Sequence, residues 1–239
     1  MRLRVTTSAL SCTLFIMTAC GPPASSGGGN SGSGNGVTQD AGVANAQDAG
    51  QAAAPDAGSV SCNWPTENLG VAPGQHVPSN LAWQGFGPGE DQERNISIEE
   101  FFDCDGSRGV HAVLLVTSQY GCSRCTSQAS GLTQMIASWA EEGLNIQVLT
   151  LKIEDSNGSK PASMEGVNHW RDAYALSTSF VAFDNGYTMI PREGGGGVRF
   201  GTPLNSVIDP RTMEVVDVIQ TFDRSYASLL EVARRNAAQ

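Results

Sequence analysis

The chain has 239 residues, with 14 Lys and Arg against 24 Asp and Glu, a formal net charge of −10 and a pI near 4.6. Such an acidic surface repels phosphate backbones, and a chain whose only lysines are Lys152 and Lys160 has no basic patch for anionic lipid, so charge-driven binding to nucleic acid or to headgroups is excluded. No run of eighteen apolar residues occurs, so no segment reads as an ordinary membrane-spanning helix.

The first twenty residues read as an export signal. Arg2 and Arg4 form a charged start, and Ala9 to Met17 supply a short, mostly apolar stretch. Met17-Thr18-Ala19-Cys20, followed by Gly21, resembles a bacterial lipobox. The resemblance implies removal of residues 1–19, thioether lipidation of Cys20 and acylation of the new N-terminus, giving several chains where one alone anchors only marginally. Gly21 in place of an aspartate favours the outer membrane, so a lipid-anchored, periplasm-facing envelope protein is expected. Cys12 falls in the discarded segment.

Residues 20–60 are of low complexity. Ten of the 28 glycines lie between Gly21 and Gly58, Asp-Ala-Gly recurs at Asp40, Asp48 and Asp56, and neither an aromatic nor a basic residue interrupts. Such a segment cannot bury enough apolar surface to offset its ordering entropy, and reads as a tether with a reach of roughly 35 Å. One carboxylate per eight residues is too sparse for calcium.

Residues 61–239 carry the pattern of one folded α/β domain. Trp64, Trp83, Phe86, Phe101 and Phe102 are separated by turn-rich stretches, and Ala112 to Val116 is a continuous apolar run, as in a strand covered on both faces. Leu132, Met135, Ile136, Trp139 and Ala140 follow helical spacing, closed by Gly143. Ile146 to Ile153 reads as the next strand and Met164 to Leu176 as a second helix. Pro203 to Asp209 and Glu214 to Ile219 read as two strands joined by a turn. A last helix, begun by Asp223, places Tyr226, Leu229, Leu230 and Ala233 on one face.

Between the first strand and the first helix stand Cys122-Ser123-Arg124-Cys125. Two cysteines at this spacing can form a disulfide within one turn, and a helix N-terminus stabilises the thiolate of the first. Cys122 is therefore expected to attack, and Cys125, one turn in, to resolve the mixed disulfide. At this point the chain resembles the thioredoxin fold, and within it the TlpA/ResA-like thiol–disulfide oxidoreductases, from about Val110 to Ala238 with a weaker leader from Gly70. Gly201-Thr202-Pro203 directly before a strand and the Trp170 to Tyr174 helix support the likeness. The resemblance implies a central mixed sheet with flanking helices, a cis-proline at Pro203 against the CxxC, and partner chains held by Thr202. It also implies dithiol exchange with envelope proteins, no bound cofactor beyond the cysteines, no metal, and a monomer.

The departures are specific. Gly121 replaces the usual aromatic before the first cysteine, Arg124 the usual proline before the second, and Val116 stands where thioredoxins often carry a buried acid. Arg124 beside Cys122 adds to thiolate stabilisation and contact with partners, while deprotonation of Cys125 needs water or another group. The competing readings are a copper-binding chaperone, with His169 as a remote ligand, and a non-catalytic module with an inert disulfide. His111 reads as a strand-edge residue and His76 as part of the leader. The glycine-rich stretch from Arg192 to Gly197 lacks the Lys-Ser/Thr of a phosphate loop, Asn95-Ile96-Ser97 is discarded as a glycosylation site, and the residues before Cys122 do not fit a peroxiredoxin. Cys62 and Cys104 remain, and an oxidising compartment makes them an expected structural disulfide.

Overall fold

The computed structural model describes residues 62–155, 157–158, 161–191 and 200–239. Cys20, the tether and the glycine-rich stretch 192–197 lie outside them. Among the described residues no helix is long and apolar enough to cross a membrane.

The elements in chain order are β1 (Ala82–Phe86), β2 (Arg94–Ser97), a 3-10 turn (Ile98–Phe101), β3 (Ala112–Ser118), α1 (Ser123–Glu141), β4 (Ile146–Lys152), α2 (Met164–Ala173), β5 (Phe180–Phe183), β6 (Leu204–Asp209), β7 (Glu214–Gln220) and α3 (Ala227–Ala237). The strands form one mixed sheet in the order β2-β1-β5-β4-β3-β6-β7. The pairs β3/β4 and β4/β5 are parallel; the other neighbours are antiparallel. This is a thioredoxin-like arrangement, with a βαβ unit followed by an antiparallel pair and a terminal helix.

β3 is buried at all seven positions, which is why its apolar run is continuous rather than alternating. Its alternate side chains feed two cores. Leu114 and Val116 join residues of α1, α2 and α3, among them Cys125, Leu132, Trp139, Trp170 and Leu229. Val113 and Leu115 join Trp83, Ile96, Phe101, Met213 and Val215 on the opposite face. The leader packs on that second side, where Trp64 donates from Nε1 to the Val77 carbonyl (2.9 Å) and lies tilted against Phe102, ring centres 5.0 Å apart.

The structure departs from the sequence pattern in five places. The stretch between Leu81 and Ser97 forms the hairpin β1–β2, and a short strand, β5, lies inside what reads as a connection. α2 ends at Ala173, three residues before Leu176, because Ala175 takes a left-handed conformation (φ 51°). α3 is not begun by Asp223: that carboxylate accepts the N–H and O–H of Ser225 (2.9 and 2.6 Å), and the position before the helix is Tyr226, at φ 45°. Ala140 is exposed, so the buried stripe of α1 runs instead through Cys125, Gln128, Ala129, Leu132 and Trp139.

Candidate functional site

β3 delivers the chain to one end of the sheet at Ser118, and after four intervening residues α1 begins at Ser123. Gly121, at φ 77°, makes the turn that an L side chain rarely allows. Cys122 is the N-cap of α1, and its sulfur accepts the Cys125 N–H at 3.1 Å. Cys122 and Cys125 form a disulfide, with Cα atoms 5.2 Å apart. The two sulfurs differ in access: Cys122 is half-buried, whereas Cys125 is 1% exposed and packed into the core.

β6 brings the second part of the site. The Thr202–Pro203 peptide is cis, Pro203 is buried and Thr202 half-buried, and the Thr202 carbonyl oxygen lies 3.3 Å from Cys122 Sγ. The Thr221 N–H donates to the Pro203 carbonyl (2.8 Å), fixing this corner to the end of β7. Arg124 is exposed on the first turn of α1, and Tyr120, two residues before Cys122, is one of two large apolar side chains left exposed among the described residues. A half-buried sulfur at a helix N-terminus, touching a carbonyl on one side and bonded to a sealed sulfur on the other, can undergo exchange at the exposed member only.

Behind the disulfide lies a polar layer that the sequence pattern does not disclose. Gln128, one turn beyond Cys125, donates from Nε2 to Asn205 Oδ1 (2.6 Å) and to the Tyr226 hydroxyl (2.9 Å). Asn205 in turn donates to the Thr221 carbonyl (3.1 Å). Burial pushes the Tyr226 hydroxyl up to about 12, so it stays protonated. Val116, at the place of the missing acid, sits between Thr150 and Asn205 in the sheet register. Lys152 is the signal that sequence reading passed over: one of two lysines, ending a mostly apolar strand, and 1% exposed.

Cys62 and Cys104 form a disulfide (Cα atoms 5.6 Å apart) at the other end of the sheet, where the Asp103 N–H donates to the Pro210 carbonyl just past β6 (2.9 Å). Six residues of β6 place that end about 20 Å from Pro203. Among the described residues, the group of potential metal-ligand atoms close enough together is Cys62, Cys104 and Asp105, and both sulfurs there are engaged in the disulfide. His169 is exposed on α2 and does not join Cys122 and Cys125 in such a group. His111 precedes β3 and accepts the Asn145 N–H at Nδ1 (3.0 Å), while His76 Nδ1 lies 2.9 Å from the Thr212 carbonyl oxygen.

No family model matches the chain, and no curated protein matches it. Solved structures similar to it include a candidate thiol:disulfide interchange protein DsbE from Chlorobium tepidum, at 19% identity over 70% of this chain and 99% of that one, with a TM-score of 0.46. The thioredoxin domain of thiol-disulfide oxidoreductase BVU-2223 from Bacteroides vulgatus shares 15% identity over 68% and 98% of the two chains, with a TM-score of 0.46. Peroxiredoxin Q from Xanthomonas campestris shares 9% identity over 66% and 92%, again with a TM-score of 0.46. At this distance the neighbours carry no argument about chemistry.

Proposed function

We propose that the protein is a thiol–disulfide oxidoreductase that exchanges the Cys122–Cys125 disulfide with thiols or disulfides of other envelope proteins. The observation that carries this reading is the asymmetry of the two sulfurs. Cys122 caps a helix, receives the Cys125 N–H and retains access, whereas Cys125 is sealed beneath it. In the reducing direction the Cys122 thiolate attacks one sulfur of a partner disulfide. A Cys122–partner bond forms, the partner's own S–S bond breaks, and the electron pair leaves on its second sulfur. The Cys125 thiolate then attacks Cys122 Sγ, closes the intramolecular disulfide and expels the first partner sulfur as thiolate. Two electrons pass to the partner, and the reverse sequence oxidises it. The redox equivalents reside in the two cysteines, so the reaction needs no bound cofactor.

Thr202 and Pro203 are the partner-binding elements in this reading, because the Thr202 carbonyl already touches Cys122 Sγ. Arg124 offers a charge at the rim. Residues 1–19 serve as a lipoprotein signal, Cys20 carries the anchor, residues 20–60 tether it, and residues 61–239 act in the periplasm. Mass spectrometry of the mature N-terminus is expected to find diacylated or triacylated Cys20; a soluble product starting elsewhere contradicts the anchor.

The exchange reading is tested by trapping. Cys125→Ser leaves Cys122 able to attack but not to be resolved, so partner proteins accumulate as reducible adducts whose sequences identify them; Cys122→Ser traps almost none. Equal trapping by both variants, or none by either alongside a disulfide that resists reduction, replaces this reading with the inert-disulfide module.

A further inference from the structure

Cys125 and Gln128 stand one turn apart on the buried face of α1, each 1% exposed. Helical side chains lean toward the turn before them, so Gln128 lies over the turn that carries Cys125. The surrounding bonds fix which end of its amide points where. Asn205 commits its Nδ2 to the Thr221 carbonyl (3.1 Å), so its Oδ1 is the acceptor that Gln128 Nε2 meets at 2.6 Å. The same Nε2 donates to the Tyr226 hydroxyl (2.9 Å). Gln128 Oε1 is thereby left buried without a hydrogen-bond partner among the described residues.

A sealed carbonyl oxygen that accepts nothing is costly, and a folded chain seldom leaves one. The amine of the same polar layer does not relieve it: Lys152 Nζ lies over the Trp170 ring, 3.4 Å from its centre. In the oxidised protein Cys125 has no hydrogen to offer, because its sulfur is bonded to Cys122. Reduction creates one. The new S–H is a weak donor, but it appears on the same helix face, one turn before the open acceptor, and out of reach of solvent.

Building on the exchange reaction above, we propose that Gln128 is a redox-dependent acceptor for Cys125: its buried carbonyl oxygen takes the S–H that exists only in the reduced protein and so shifts the equilibrium toward the dithiol. With glutathione as reductant, one thiolate attacks Cys122 Sγ, the bond to Cys125 breaks, and the electron pair leaves on Cys125 Sγ, which takes up a proton. A second glutathione thiolate attacks the glutathione sulfur of the mixed disulfide and releases Cys122, which is protonated in turn; one glutathione disulfide and one protein dithiol result. Gln128 touches no reacting bond. It is a positioning residue that acts through Cys125, and by favouring the dithiol it biases the exchange toward taking electrons from partner dithiols rather than supplying them to partner disulfides.

The test uses the full chain with Cys12→Ala and Cys20→Ala, equilibrated at one pH with graded mixtures of reduced and oxidised glutathione and read by alkylation and mass. Gln128→Met and Gln128→Leu, which delete the carbonyl and keep the bulk, are expected to lower the equilibrium constant for dithiol formation about fivefold. A change under about twofold in either variant overturns the proposal. So does an equal fall in the denaturant midpoints of the oxidised and reduced forms, since a side chain that only packs destabilises both alike. A second readout keeps the wild-type Gln128. Adding Cys122→Ser leaves Cys125 with the one S–H of the chain while Cys62–Cys104 stays closed. Its infrared stretching band is expected at lower wavenumber than that of an alkanethiol in an apolar solvent, and to rise when Gln128→Met is added. A band at the alkanethiol position overturns the proposal whether or not the Gln128 variants fold, and so does one that Gln128→Met leaves in place. A wild type whose Cys122–Cys125 bond resists every glutathione mixture overturns the exchange reading itself, so the two failures are distinct.

Discussion

Replacing Cys62 and Cys104 together by alanine removes a cross-link that spans 42 positions of sequence. On the chain-entropy model a loop of that length restrains the unfolded chain by about 4 kcal/mol. The native state has other fastenings for the same leader. Gly74 N–H donates to the Val215 carbonyl, Val77 N–H to the Met213 carbonyl and Val215 N–H to the Gln75 carbonyl, at 2.8 to 2.9 Å. The variant is therefore expected to fold, with its stability lowered by about 3–4 kcal/mol. With a urea m-value of about 2 kcal/mol/M, the unfolding midpoint falls by about 1.5–2 M. Because this disulfide lies at the end of the sheet remote from Pro203, the rate at which Cys122 reacts under native conditions is expected to be unchanged. A midpoint that does not move refutes the entropic argument. A Cys122 rate that falls with the midpoint refutes the separation of the stapled end from the reactive end.

Two further perturbations test the physical reading of buried charge. Asp103 accepts the N–H groups of Arg108 and Val110 (3.0 and 2.8 Å) and lies 3.2 Å from Arg211 Nη1, with its side chain fully buried; Asp103→Ala is expected to cost about 3–5 kcal/mol in denaturant unfolding, and a loss under about 1 kcal/mol contradicts the pairing. Burial pushes the Lys152 amine down to about 7 from its ordinary 10.5, so between those values the unfolded chain binds the extra proton and stability rises with pH. Lys152→Met is accordingly expected to stabilise most below pH 7, the gain shrinking by up to about 1.4 kcal/mol per pH unit above it; a gain that is constant from pH 6 to pH 9.5 contradicts the displaced amine.

The parts of the fold legible in the sequence are those whose pattern is long and local. β3 and β4 announce themselves as buried runs, α1 by its helical stripe, and β6–β7 by a turn between two apolar segments. The hairpin β1–β2 and the four-residue β5 do not, because their burial is imposed from outside. Gly85, for example, has no side chain where the backbone of Val181 and Ala182 passes against β1. The start of α3 follows the same logic: Asp223 is the better cap by propensity, but Tyr226 is fastened to Gln128 and sits on the apolar face, and that contact decides where the helix begins. At the site, the spacing of Cys122 and Cys125 and the Thr202–Pro203 pair are visible in the chain itself. The layer of Lys152, Thr150, Asn205 and Gln128 is not, since only the register of three strands and the placement of α1 bring these residues together.

The central claim, that the Cys122–Cys125 disulfide is an exchanging one, is tested most directly by equilibrating the protein with graded dithiol and glutathione buffers and quantifying both oxidation states by alkylation and mass. A reversible two-electron transition is expected between about −120 and −270 mV, the range of exchanging protein dithiols, with Cys62–Cys104 remaining oxidised throughout. A Cys122–Cys125 bond that stays closed to potentials below about −300 mV, as structural disulfides do, contradicts it.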